Sequence, residues 1–157
     1  MAAEYIAVNQ LVQPNAGVLF SDGPKRCNLG LIFHNGLSSL FRLASPSALG
    51  VSCRRPCCCK GFPEANYQVS FRGNIAVPGD PAGTVEEITL AITVDGEAEA
   101  IPMRFTPAAV DEYGNVSTDI IVSVPCVCRC SSLSIRNTST QPINVEGILT
   151  FDFAGIS

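Results

Sequence analysis

The chain has 157 residues, of which 46% are hydrophobic and only 15% charged, with a formal net charge of −4, against about 25% charged in an average domain. That length suits one domain, which buries roughly 68–70% of its unfolded surface and needs no covalent staple, and a surface so short of charge suggests cover, most simply by copies of itself. A pI of about 4.9 with no basic cluster interleaved with aromatics argues against nucleic acid, and no apolar run approaches the ~20 residues of a membrane helix, so neither partner is expected.

In chain order, Ala3 to Val12 (AEYIAVNQLV) reads as a first strand or as an N-terminal docking arm over residues 1–12. Gly17 to Phe20, Gly30 to Gly36 and Ser38 to Ala44 are three further strand candidates, and Asn35-Gly36 between the last two is a hairpin signal because both residues tolerate positive φ. Residues 45–66 (SPSALGVSCRRPCCCKGFPEAN) hold three prolines, two glycines and four cysteines. They read as a long loop, of the kind that is usually functional or cross-linked.

From residue 67 onward the texture is regular. Tyr67 to Val77, Glu86 to Val94, Ala100 to Thr106, Asn115 to Val124, Ser132 to Asn137 and Ile143 to Phe153 all alternate apolar with polar. A period of two puts one face of each segment on a core. Short strands separated by turns at about 8–12 residues indicate a sandwich or barrel. Asp95-Gly96 predicts a tight hairpin turn. Thr106 to Asn115 reads as a connection with room for one helical turn, and Asn137 to Pro142 as a turn. The expected core is Val69, Phe71, Leu90, Ile92, Ile120, Val122, Leu133, Ile135, Leu149, Phe151 and Phe153. The fold class is therefore all-β, an antiparallel two-sheet sandwich in a single domain over 1–157, with a cysteine-rich loop insert.

The net charge is unevenly spread. Residues 1–62 carry six basic side chains against Glu4 and Asp22, and residues 63–157 carry four arginines against twelve acids, a contrast of +4 and −8. Such asymmetry can orient a protein on a charged partner. The opening MAAEYIAVNQ has no basic n-region followed by an apolar run, so synthesis in the cytosol without a signal peptide is expected.

The order of the later segments resembles the compact jelly roll of the tumour-necrosis-factor and complement globular-head superfamily. The resemblance rests on YQVSFRGNIAVP, a strand ending in Asp-Gly, a Thr-Pro connection, and SIRNTSTQPINVEGILTFDF as paired last strands. The chain also resembles small jelly-roll virion structural proteins of phages that infect gut Gram-positive bacteria, in which GNIAVP, TPAAV, Val-Pro followed by cysteine, and RNTS recur in this order. The match covers about 90 of the 157 residues, and residues 45–66 depart from it. It implies a tight homotrimer.

Eight cysteines fall into three groups: Cys27; Cys53, Cys57, Cys58 and Cys59; and Cys126, Cys128 and Cys130. Positions two apart on an extended chain face one way, roughly 6.5–7 Å from each other. The last three thiols therefore do not pair among themselves without bending the strand, and their natural partners are the Cys53–Cys59 group and Cys27. Disulfides within or between chains, a zinc site, and buried free thiols all remain open readings.

Catalysis has little to stand on. The one histidine, His34, reads as a solvated or cross-strand residue beside a hairpin turn. No G-x-S-x-G, H-E-x-x-H or Walker motif is present. Asp111 with Glu112 and Glu86 with Glu87 read as wet strand edges, Asp80, Asp95 and Glu97 lack EF-hand spacing, and the sequons at Asn115 and Asn137 read as turn residues. No cofactor and no enzymatic activity are expected. Three roles follow. The first is a homotrimeric capsid decoration or fibre-head module of a phage virion, contacting itself and other virion structural proteins. The second is a disulfide-linked filament subunit on a bacterial or spore surface. The third is a receptor- or carbohydrate-binding module, for which the absence of Trp and the presence of only Tyr5, Tyr67 and Tyr113 offer little stacking surface. A trimer closes and a filament does not, which separates the first two.

Overall fold

A computed structural model describes residues 2–22, 32–43, 64–99, 101–125 and 131–156. These residues form an all-β jelly roll with no helix among them. The strands are β1 (Ala2–Val12), β2 (Ser21–Asp22), β3 (Ile32–Phe33), β4 (Phe41–Leu43), β5 (Glu64–Ala76), β6 (Ile88–Val94), β7 (Glu97–Ala98), β8 (Met103–Phe105), β9 (Gly114–Pro125), β10 (Ser131–Asn137) and β11 (Ile143–Ile156). They build two antiparallel sheets. One runs β2-β1-β11-β5-β9; the other runs β3-β4-β10-β6-β7, with β8 also paired to β6.

The alternation read from the sequence sets the facing residues. In the five-stranded sheet the cross-strand rows Ala3–Phe151–Val69–Ile120, Tyr5–Leu149–Phe71–Thr118 and Ala7–Gly147–Gly73–Val116 turn inward. In the six-stranded sheet Leu90, Ile92, Leu133, Ile135, Phe41 and Leu43 meet them, all buried. Of the expected core, Val69, Phe71, Leu90, Ile92, Val122, Leu133, Ile135, Leu149 and Phe151 are buried. Ile120 is only half-buried, because β9 is the edge strand of its sheet. The side chain of Phe153 lies outside the described residues.

Phe71 shows how tightly the two layers meet. Its ring tip lies where side chains at Gly73 and Gly147, an opposed pair on β5 and β11, would begin: a Cβ at either position would stand 2.8 Å from Phe71 Cζ. A Cβ on Gly147 would also meet the Arg72 carbonyl at 2.6 Å. The glycines thus serve close approach, not a turn.

Several local expectations are corrected. Of the two readings of the N-terminal segment, residues 2–12 form the first strand: Ala3, Tyr5, Ala7 and Val12 are buried on a strand hydrogen-bonded to both β2 and β11. Gly17 to Phe20 forms no strand, only isolated bridges from Gly17 to Arg136 and from Phe20 to Ser38, although Val18 and Phe20 are core. Asn35-Gly36 does not make a two-residue hairpin. Phe33 pairs with Arg42, so the connection is longer, and only Gly36 takes a positive φ, 51°. Asp95 and Gly96 do make the tight turn, at φ 52° and 88°. The long loop ends earlier than residue 66, since β5 begins at Glu64; residues 45–63 lie outside the described set. Thr106 to Asn115 contains no helical turn. It is held by Glu112, whose Oε2 accepts from the Ala108 and Ala109 amides, and by Asp111, which accepts from the Gly79 amide.

Asn137 is the largest departure from its local reading. It closes β10 with 0% exposure. Its Nδ2 donates to the carbonyls of Val12 and Gln141, each at 2.9 Å, and its Oδ1 accepts from the Ser139 amide at 2.8 Å. Its amide donates to Ala16 O and its carbonyl accepts from the Asn15 amide. A buried amide with every group satisfied costs little and specifies much. Here it ties the end of β1 in one sheet to the end of β10 in the other.

Two substitutions test this core by denaturant unfolding. Phe151→Ala is expected to cost about 3–5 kcal/mol, the usual loss for a buried aromatic. Asn137→Ala is expected to cost about 1–3 kcal/mol, because a buried carbonyl of Val12 and a part-buried one of Gln141 lose their donor.

Candidate interaction face

The residues that alternate with the core point to the outer face of the five-stranded sheet. Its rows are Glu4–Thr150–Ser70–Asp119, Ile6–Ile148–Arg72–Ser117, and Glu146–Asn74–Asn115, flanked by Gln68–Ile121 and Leu11–Asn144. Exposed aliphatic side chains are set into this polar lattice: Ile121 is 67% exposed, Val8 64% and Ile148 40%. Val8 stands out because the register of β1 shifts between Ala7 and Gln10. Such a bulge turns adjacent residues outward. Val8 and Asn9 are both exposed there, and Asn9 Nδ2 donates to the Tyr113 hydroxyl at 2.8 Å.

Polar side chains across this face bond to one another. Ser70 Oγ donates to Asp119 Oδ1, Asn74 Nδ2 donates to Glu146 Oε1 at 3.2 Å, and Ser123 Oγ donates to Asn66 Oδ1 at 2.8 Å. Groups satisfied within their own chain lose little when a partner excludes water from them. The face thus combines exposed aliphatic side chains with internally bonded polar groups and with charged ones such as Glu4 and Arg72.

The residues singled out from sequence sort differently. Cys27, Cys53, Cys57, Cys58, Cys59, Cys126, Cys128 and Cys130 all lie outside the described residues. The residues that flank the two larger groups are paired, however: Leu43 with Ser131, and Glu64 with Pro125. Residues 44–63 and residues 126–130 are therefore bounded by the same two paired positions. Of the acids that read as wet edges, Glu86 accepts from Thr140 and Gln141, and Glu87 pairs with Arg104 at 3.2 Å. Asp95, read as a loop acid, accepts at Oδ1 from the Ser132 amide. Among the described residues no three His, Cys, Asp or Glu side chains are grouped to hold a metal ion, and no helix is long and apolar enough to cross a membrane. His34 is not solvated. Its side chain is 1% exposed and its ring stacks on Phe41, a placement its polar, turn-like sequence context does not signal.

No protein-family model matches the sequence, and no curated protein matches it. Solved structures do. The globular domain of the zebrafish complement 1qA protein is similar over 99% of this chain and 98% of its own, at 9% identity and a TM-score of 0.63. Murine APRIL is similar over 94% and 96%, at 6% identity and a TM-score of 0.58. Identities this low speak to the fold: the chain has the jelly-roll architecture of the tumour-necrosis-factor and complement globular-head type.

The shared anchors of the two cysteine segments carry a test. Alkylation of native protein followed by non-reducing mass spectrometry is expected to find few free thiols and at least one cross-link between Cys53–Cys59 and Cys126–Cys130. Eight alkylated cysteines, or stoichiometric zinc, would replace the disulfide reading.

Proposed function

We propose that the chain is a non-enzymatic structural module, a homotrimer that decorates a phage virion as a capsid or fibre-head protein. The observation that carries self-association is the open face of the five-stranded sheet. An antiparallel sheet can leave one face in water, and this one exposes Val8, Leu11, Ile121 and Ile148 among charged side chains such as Glu4 and Arg72 and mutually bonded polar groups. A copy of the same chain is the partner that requires no further component, and closed symmetry then limits the assembly. The fold is of the type that the sequence resemblance associates with trimers. The virion reading rests on the phrases GNIAVP, TPAAV, Val-Pro-Cys and RNTS standing in phage-like order, and places the protein on the particle after cytosolic synthesis.

Light scattering is expected to report three times 16.6 kDa; a stable monomer sinks the trimer. Ile148→Glu and Ile121→Glu are expected to weaken association by roughly 100-fold or more, since an unpaired charge at a buried contact costs several kcal/mol, with the β circular-dichroism spectrum unchanged. The virion reading is tested apart from the trimer. Purified particles are expected to contain the protein by mass spectrometry, and filaments of purified protein in electron micrographs would favour the surface-appendage role instead.

A further inference from the structure

His34 sits where the two sheets meet at an open edge, and its protonation has a structural consequence. The ring is packed between Phe41, stacked at 4.4 Å between centroids, and Tyr5, edge-on at 5.1 Å. Nε2 lies 2.9 Å from the Ser38 carbonyl oxygen. A carbonyl only accepts, so Nε2 carries a proton and donates it. In the neutral ring Nδ1 is then a bare lone pair. That atom is buried and has no hydrogen-bond partner. Facing it is another acceptor, Asp22 Oδ1 at 3.6 Å, on a carboxylate whose side chain is 43% exposed.

Two acceptors face each other with no hydrogen between them. Leaving a buried nitrogen without a partner is costly. One proton on Nδ1 removes the conflict, giving an imidazolium that donates from Nε2 to Ser38 and from Nδ1 toward Asp22, within ion-pair reach. The geometry points to a proton-operated clasp across the sandwich edge. Asp22 belongs to β2, the edge of the five-stranded sheet, through its pairing with Tyr5. His34 follows β3 and precedes β4, in the six-stranded sheet. The Ser38 carbonyl that His34 engages also accepts from the Phe20 amide, at 2.9 Å, and the Ser38 amide donates back to Phe20 O at 3.1 Å. The ring and the Phe20–Ser38 bridge therefore share one acceptor, and what tightens one holds the other.

Among the described residues, the charged group facing the ring is Asp22 from β2. β1 contributes Tyr5, the other titratable side chain in contact, and β4 contributes the uncharged Phe41. Imidazole is the side chain whose ordinary titration falls between pH 5 and 8, while a carboxylate stays ionised down to about pH 4. The added bond exists only in the charged form of the ring. The clasp is therefore closed when the ring carries its second proton and loosens when that proton leaves.

Hydrogen exchange of the Phe20 and Ser38 amides reads the clasp directly, once corrected for the intrinsic pH dependence of exchange. Between about pH 8 and pH 5 their protection is expected to rise by about threefold to tenfold, the size of one partly exposed charged bond. Asp22→Asn supplies a side-chain N–H that can donate to the neutral Nδ1, so its protection is expected to be flat with pH and as high as the acid wild type. His34 is the single histidine, so imidazole ¹⁵N spectra are free of overlap and are expected to show the Nε2–H tautomer at the alkaline end. An equal rise in Asp22→Asn, no rise in the wild type, or an Nδ1–H tautomer would overturn the proposal. Stoichiometric zinc bound through Nδ1 would also overturn it, by making the pair a metal site. His34→Gln, should it fold, is expected to lose the pH response as well.

Discussion

The sandwich depends on the placement of β11. The last strand lies between the first strand and β5, paired with β1 from Val12 to Ala2 and with β5 from Ala76 to Ala65. Both of its edges are consumed, so the five-stranded sheet does not exist until the two ends of the chain meet. Contacts of such sequence separation are slow to form because loop closure precedes any gain from them. They also commit the chain: a slip of one residue along β11 would send Leu149 and Phe151 to solvent and Ile148 and Thr150 to the core. Two features pin the register. Gly147 and Gly73 meet only at one alignment, under the tip of Phe71. Asn137, just before the turn into β11, is saturated with bonds to Val12 and Gln141.

That same arrangement explains the open face. A strand paired on both edges still has two sides. One side of β11 is filled by the six-stranded sheet, through Phe41 against Phe151 at 5.1 Å between ring centroids. The other side carries Asn144, Glu146, Ile148 and Thr150 away from it. Among the described residues the fold supplies a second layer for only one side.

How much of this was legible beforehand follows from how far each signal reaches along the chain. Period-two alternation is local and strong, so Val69, Phe71, Leu133, Ile135, Leu149 and Phe151 were recognisable as core without coordinates. Asp95-Gly96 was readable for the same reason: two residues suffice to make the turn. Short strands such as β2 and β3, two residues each, carry no period at all and exist because a partner strand presents its edge. Asn137 and His34 misled because both occur among polar and turn-forming residues, and nothing within a few positions reveals that Val12 or Phe41 will lie against them. The outer face was half legible. Alternation marks Gln68, Ser70 and Arg72 as facing away from the core, but which strands lie beside them on that face is a property of the assembled sheet.

The two polar exceptions have different consequences. Asn137 is buried with donors and acceptor all matched, and such a residue behaves as a rivet whose bonding does not titrate. His34 is buried with one atom unmatched, facing a carboxylate that reaches solvent. A rivet would have been served as well by glutamine or asparagine at this position, either of which presents both a donor and an acceptor without titrating. The choice of imidazole, packed so closely against Phe41 and Tyr5 that its burial is nearly complete, leaves a site whose bonding is completed by a proton. It lies at the edge where Phe20 and Ser38 join the two sheets, away from the Asn137 tie. The sandwich is therefore fastened at one place by a bond set that does not titrate and at another by a bond set that acid completes. That difference lies in the chemistry of two side chains, not in the fold that holds them.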